Sequence, residues 1–457
     1  MPPQLETFVS DRRRELYRSA VRVREFAHPL TGDAHDYDPL MGRLGGASIV
    51  MLGEATHGTR EFYAERLRIT RRLIEEHGFN AIAIEGDWPD AHRVNRFVRG
   101  ATDHGGADSA LGGFTRFPSW MWRNEETLEL VSYLRHHNSK QRSEVDQVGF
   151  YGLDLYGLFS AIEAVIGYLD EHDPQAALIA RDRYSCFGAF TGEPQSYGQA
   201  VTLGVSESCR RSAVAQLVEL RRMAFELPHD GFAYADERFL AEENARCVTA
   251  AEEYYRSMFS DPRGSWNLRD RHMAETLDQL IAHLDRYTGQ AKVVVWAHNS
   301  HVGDARATEV SRRGELTLGQ LARQRHGRST FLLGMTTYDG TVTAARDWGE
   351  PPMVRDIRPA HAGSIEELLH HVGLDSLLLT PTPGTAAYEE LDRAYGERAI
   401  GVVYRPETER ESHYLAANPA RQFDAIVHID RTTAITPLDG DAPWAGYEPP
   451  ETYPTAL

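Results

Sequence analysis

Short runs of β-branched and apolar residues recur along this chain, most of them separated by stretches with helical spacing. That alternation restricts the fold more than any other feature. The runs are Ala47–Leu52, Ala81–Glu85, Val148–Leu153, Val293–Ala297, Thr330–Met335, Ser376–Thr380, Ile400–Tyr404 and Ala425–Ile429. Residues that are apolar on consecutive positions suit strands buried on both faces. With helices between them, such strands predict an α/β fold: a central, mainly parallel or mixed sheet flanked by helices.

The rhythm breaks after Tyr156. Helical patterns run over Leu158–Asp170, Ser206–Leu227, Glu237–Met258 and Leu268–Tyr287, with no strand among them. Residues 156–290 therefore read as a large helical insertion, a cap or wall on the body. The α/β body would comprise 1–155 and 291–436. The segment 437–457, rich in Pro, Gly and acidic residues, reads as an extended C-terminal tail.

Composition excludes several classes of function. At 457 residues the chain suits two or three domains, or one large body carrying an insertion. A formal net charge of −18 repels polyanions, so neither nucleic acid nor an anionic membrane surface is expected as a partner. Apolar runs such as Ile82–Ile84 and Val293–Trp296 fall far short of the roughly 18–20 residues that span a bilayer. The three cysteines (Cys186, Cys209 and Cys247) contain no CxxC pair, so no disulfide framework and no structural zinc are expected. The N-terminus lacks a basic region followed by an apolar run, which suggests a reducing, cytoplasmic setting.

The chemistry concentrates at the ends of the first four runs. They close on Gly53-Glu54-Ala55-Thr56-His57-Gly58, on Glu85-Gly86-Asp87-Trp88, on Gly152-Leu153-Asp154 and on His298-Asn299-Ser300-His301. In open α/β sheets, ligands bind outside the carboxyl ends of the strands. His57 lies in a turn that Gly58 should tighten, presenting the imidazole, and Thr59 can cap the helix that follows. On that helix Arg66 falls within the apolar face drawn by Phe62, Ile69 and Leu73. An arginine there must snorkel or find an acceptor, and Glu54, Glu85 and Asp154 are the candidates. Arg66 and Glu85 are expected to share a partner or each other, pointing into the cleft. Asp154 can instead cap the helix near Leu158 or orient a histidine. Trp120, Trp122 and Tyr156 can line an apolar substrate wall; the plainer alternative is core packing.

Histidine, carboxylate and arginine together suit hydrolysis by activated water. The histidine takes the proton, the carboxylate fixes its tautomer, and cations hold the oxyanion. There is no Gly-x-Ser-x-Gly elbow, no His-Glu-x-x-His and no phosphate-cradling glycine loop. A metal held by Glu54, His57, Glu85 and His298 is the alternative. A binding protein that has lost turnover is another.

These segments resemble the erythromycin esterase family. The likeness runs from Leu52–Thr59 with Glu61 and Phe62, through Phe79–Glu85, Phe150–Asp154, Arg269-Asp270 with Met273-Ala274, to Val295–Val302, and spans about Tyr37 to Pro437. Further segments, Thr336–Gly340, Ser412-His413-Tyr414 and Gln422–Ala425, resemble its broad branch more than its macrolide resistance enzymes. The resemblance implies an α/β body with a helical portion lining a deep cleft. It also implies a carboxylic ester hydrolase in which His57 is a general base that activates water without a metal or other cofactor. Glu54, Arg66, Glu85, His298 and His301 would line the site, and the substrate would be a small ester or lactone of the macrolactone type. Oligomeric state stays open.

Overall fold

A computed structural model describes residues 3–102, 105–226 and 231–440. Its strands are β1 (His28–Pro29), β2 (Ile49–Leu52), β3 (Ala81–Asp87), β4 (Gly149–Asp154), β5 (Val293–Trp296), β6 (Thr330–Ala344), β7 (Met353–Ile357), β8 (Ser376–Leu379), β9 (Tyr395–Arg398), β10 (Tyr414–Ala417) and β11 (Ala425–Thr432). The main sheet has the order β1-β8-β11-β6-β2-β5-β3-β4. From β11 to β4 every neighbouring pair is parallel, whereas β8 and β1 extend one edge antiparallel. The expected α/β architecture, a mixed and mainly parallel sheet with a helical insertion, is therefore present.

Side-chain alternation explains why both faces are covered. Val50, Leu52, Ile82, Ile84, Val294 and Trp296 face one core, together with Phe62, Ile69 and Leu73 of the helix Arg60–His77. Ile49, Met51, Ala81, Ala83, Val293 and Val295 face the other, against Met273, Leu277 and Leu284 of the helix Pro262–Thr288. A period of two along strands that are apolar at every position permits only a sheet sandwiched between helices. The two helices named end on Gly78 and Gly289, each in the left-handed conformation that glycine adopts without strain.

Between β4 and β5 lie the helices Leu158–His172, Pro174–Tyr184, Pro194–Thr202, Arg210–Glu226 and Gly231–Ser257, then Pro262–Thr288. The first five bury a core of their own, built on Leu158, Val165, Tyr197, Val248 and Tyr255. Cys186, exposed, and Cys209, in that core, form a disulfide at its edge, contrary to the expectation from their number and spacing. No CxxC signal exists because the pairing spans 23 residues and depends on how the helices pack. Among the described residues no helix is long and apolar enough to cross a membrane.

Two strand readings change. Ile400–Tyr404 is not a strand; it makes single bridges, Ile400 to Thr56 and Val403 to Ala345. Its apolar residues are buried by crossing the Glu54–Gly58 loop and the end of β6, so burial arrives without a ladder. β6 in turn runs well beyond Met335, and its far half pairs antiparallel with β7. Of the expected tail, 441–457 lie outside the described residues. Leu438 N–H donates to the Arg123 carbonyl, and Asp439 pairs with Arg123 at 2.6 Å.

Gly58 has a different reason from the one expected. Its φ is not positive. Instead β6 passes so close that a Cβ at Gly58 would lie 1.8 Å from the Thr343 carbonyl oxygen, and the Gly58 carbonyl accepts from the N–H groups of both Thr343 and Ile435 at 3.0 Å. Gly58→Ala is expected to lower stability by about 1–3 kcal/mol through this overpacking, read as a shift of the urea midpoint.

Candidate active site

The loop after β2 is fixed before any side chain is considered. Gly53 N–H donates to the Leu333 carbonyl of β6 at 2.7 Å, and the carbonyls of Glu54 and Ala55 accept from Asn299 N–H and Ile400 N–H, each at 2.8 Å. Thr59 occupies the N-cap position of Arg60–His77 but does not cap it; its hydroxyl meets that of Thr56 instead. The loop consequently holds Glu54 pointing inward and His57 at the cleft surface.

His57 Nδ1 lies 2.9 Å from Glu54 Oε1. Behind Glu54 stands Arg66, completely buried, its Nη2 2.6 Å from Glu54 Oε2. The Arg66 nitrogens find no well-aligned hydrogen bond. Charge holds the pair, and the guanidinium packs 4.3 Å over Tyr63 and 4.5 Å over Trp296. Arg66 therefore does not point into the cleft and does not share a partner with Glu85, as the helical face had suggested. Helical side chains lean toward the N-terminus, so this one reaches beneath the end of β2 rather than past it.

Two arginines line the cleft, Arg116 and Arg269, and Arg269, from the start of the helix Pro262–Thr288, is the one that meets the strand ends. Its Nε and Nη2 donate to Asp154 at 2.6–3.2 Å, and Nη2 also donates to Glu85 Oε1 at 2.8 Å. Its guanidinium lies 4.9 Å from the Tyr156 ring. Asp154 is thus the acceptor for Arg269; the helix Leu158–His172 begins at Gly157 without a side-chain cap. Burial works against a charged Glu85, but His301 and Arg269 outweigh it and hold the carboxyl well below its usual range. The register of β3 against β4 slips between Ile84 and Asp87, where Glu85 turns toward the cleft.

His301 and His298 are placed in opposite electrostatic settings. His301 Nδ1 contacts Asp270 at 2.9 Å and its ring stacks on Trp266 at 4.5 Å. Nε2 lies 3.3 Å from Glu85 Oε1 and 3.0 Å from Arg269 Nη1. Burial disfavours the imidazolium, yet Asp270 and Glu85 carry it up to about 9. Arg269 Nη1 can only donate, so its 3.0 Å bond is made to the lone pair of a neutral Nε2, and protonation of the ring redirects Nε2–H to Glu85 Oε1. His298 is pushed down to about 3 by burial and by His57, whose ring centroid is 4.8 Å away. Its Nδ1 accepts from Ser300 N–H at 3.2 Å and contacts Ser300 Oγ at 2.8 Å, which leaves the proton on Nε2. That Nε2 is buried without a well-aligned hydrogen bond, with the Ala55 carbonyl close to the ring.

These groups open onto one cleft. His57, Glu85, Asp154, Arg269, His298 and His301 line it, and Phe117, Trp122, Tyr156, Trp266 and Trp348 supply aromatic walls. Trp122 and Tyr156 thus stand where a substrate wall was expected. Trp120 does not. It is buried behind the turn Ser119–Met121 and faces a separate depression with Phe117, Glu350 and Pro352.

Asp90, Arg116, Arg269, Asp270 and Ser300 are site residues that the chemical reading of the strand ends did not single out. Arg269 and Asp270 are neighbours on one helix rather than at a strand end, so only the Arg-Asp pair itself could have signalled them. Among the described residues no group of three or more His, Cys, Asp or Glu side chains is arranged to hold a metal. Glu54 and Glu85 are instead committed to arginine and histidine.

The family model described as Erythromycin esterase matches residues 74–432. The chain belongs to the erythromycin esterase family. Membership places it among hydrolases of ester- or lactone-type substrates. Erythromycin esterase type II of Escherichia coli is 25% identical over 325 residues, 68% of this chain and 73% of the relative. The putative hydrolase YbfO of Bacillus subtilis (strain 168) is 23% identical over 407 residues, 85% of each. A mutant of the erythromycin esterase EreC in its open conformation shares the fold, with a TM-score of 0.60 and 20% identity over 88% of this chain and 94% of that one.

Two outcomes follow from the buried charges. Arg66→Met leaves Glu54 uncompensated and is expected to cost about 3–5 kcal/mol, much of it recovered when Glu54 is also made Leu; chemical denaturation of both variants measures this. His301 titrates higher in the folded chain than the ordinary value of 6.5. Its contribution to stability is therefore complete below that value and is lost as pH rises toward about 9. A His301→Gln variant should show a flatter stability profile than the parent across that window.

Proposed function

We propose that this chain is a metal-independent hydrolase of a carboxylic ester or lactone, with His57 as the general base that activates water. The observation that carries the reading is the His57–Glu54 contact on the cleft floor. Glu54 accepts from Nδ1–H at 2.9 Å, so Nε2 keeps its lone pair on a ring that lines the cleft. As water attacks the carbonyl carbon, Nε2 takes its proton, and Glu54 stabilises the imidazolium that forms. Arg66 keeps Glu54 in place and is a positioning residue.

His298 complements the base. A ring pushed down to about 3 does not compete for the proton of the attacking water. Its Nε2–H, buried close to the Ala55 carbonyl, would turn to the substrate's carbonyl oxygen as negative charge develops there. Arg269 and His301 fix Glu85 and Asp154 beside it. Each of these cations is matched by a carboxylate, which suits an uncharged ester, and the aromatic walls suit a bulky apolar portion. Macrolactones have both features, and the relatives named erythromycin esterase make them the first substrates to test.

Ser300 Oγ, 2.8 Å from His298 Nδ1, is the rival nucleophile. The rival is weak because a base titrating near 3 draws little proton density from a serine hydroxyl. Cys247 is buried and the other cysteines are paired.

The test is a screen of macrolides and simpler lactones by mass spectrometry, followed by mutation. His57→Asn should stay folded and lose about 10²–10⁴ in kcat, while Ser300→Ala and added chelator leave turnover largely intact. Near-wild-type activity of His57→Asn would sink the proposal. A burst of alcohol with an acylated protein would transfer the chemistry to Ser300.

A further inference from the structure

Apart from the carboxylates that Arg269 gathers, another stands on the cleft wall. Asp90 lies in the first turn of the helix Trp88–Val98. It lines the cleft and also an adjoining groove that Gly112, Gly113 and Ser160 help to form. The residue is only 8% exposed. Yet among the described residues nothing hydrogen-bonds to its carboxyl or stands at ion-pair distance from it. Burial and the charge of Asp87, one turn earlier, lift the Asp90 carboxyl well above its usual range, and Arg116 and Arg93 offset this only in part. A buried carboxylate must be paired or take up a proton, so the protein leaves this one short of a positive charge. Glycine keeps the space beside it open, because a Cβ at Gly113 would stand 3.2 Å from Asp90 Oδ1. Phe114, next in the chain, lines the cleft with Phe117 and Trp122. Aromatic faces attract cations as well as apolar groups.

We propose that Asp90, with Asp87 one turn away, forms a subsite for an ammonium group carried by a remote part of the ester substrate. The proposal rests on reading the cleft as the hydrolytic site. At the hydrolytic end Arg269 is already matched by Glu85 and Asp154, so the ester group itself is neutral and the charge belongs elsewhere on the molecule. A bound ammonium replaces the proton on Asp90 and pairs with the carboxylate that remains, while the aromatic walls keep water from the pair. A neutral arm would leave Asp90 as short of a partner as it is in the free protein. An anionic arm would meet two carboxyls; the feature that would favour one is Arg116, which lies 4.5 Å over the Tyr156 ring and lines the same cleft.

The probes are N-alkyl phenylacetamides of graded chain length, bound without turnover, whose chains end in trimethylammonium, in its neutral tert-butyl isostere or in a carboxylate. The corresponding esters report turnover. Calorimetry on the parent protein should show the cationic amide of best-fitting length binding at least about tenfold tighter than its isostere, the least expected when a buried charge gains its partner. The esters should show the same preference in KM. Asp90→Asn should abolish the preference. Gly113→Ala is the second variant, should Asp90→Asn fail to fold; it sets a methyl against Asp90 Oδ1 and is expected to weaken the preference. If no ester is hydrolysed but the amide preference stands and Asp90→Asn removes it, the catalytic reading fails and the subsite survives. Equal affinities for cation and isostere at every chain length, or a preference unchanged in Asp90→Asn, would overturn the assignment. Tighter binding of the carboxylate would overturn it in favour of an anion site at Arg116.

Discussion

One guanidinium ties together the carboxyl ends of three neighbouring strands. Arg269 reaches from the start of a helix that packs on the body and binds Glu85 at the end of β3, Asp154 at the end of β4 and His301 beyond β5. Those strands lie side by side. Their ends would otherwise present buried carboxylates to an apolar, aromatic-walled cleft. A carboxylate in such surroundings must pair or take up a proton, and Arg269 supplies the pairing. The same contact fixes where the helix Pro262–Thr288 begins over the sheet, so cleft shape and cleft charge are decided together.

Arg66 does the corresponding task from below. It is dry on every side, held by Glu54 and by two aromatic faces, and its effect reaches the cleft only through Glu54 and His57. The two arginines thus differ in kind. One lines the cleft and links elements distant in sequence; the other is local and sets the direction of a carboxylate. Buried ion pairs of this sort contribute little net stability but a great deal of geometry, because breaking either half leaves a charge that nothing else can satisfy. Two histidines three residues apart show the consequence. His301, beside Asp270 and Glu85, is carried up to about 9, whereas His298, beside His57, is pushed down to about 3.

Much of the frame was legible in the residues. Strands that are apolar at consecutive positions can only be central, and polar groups that follow them at once can only stand at the carboxyl edge. His57, Glu85, His298 and His301 were visible on that basis alone. Ile400–Tyr404 misled because the same apolar pattern serves any buried segment, and whether a ladder forms depends on which backbone lies alongside. The Gly58 case is similar. The glycine was legible, but its reason is the approach of β6 rather than a turn of its own.

The sequence by itself determined the sheet, the helical layers and the set of ionisable groups at its carboxyl edge, since periodicity and local burial are properties of neighbouring residues. It also determined that Arg66 needed an acceptor. Which acceptor, and whether the pair faced the cleft or the core, was decided only by tertiary structure. So were the pairing of Arg269 with Asp154 across 115 residues, the separation of Trp120 from Trp122, and the joining of Cys186 to Cys209. The physical reason is the same in each case. A charge, a ring or a thiol specifies what kind of partner it requires, and only the packing of distant elements brings one such partner within reach.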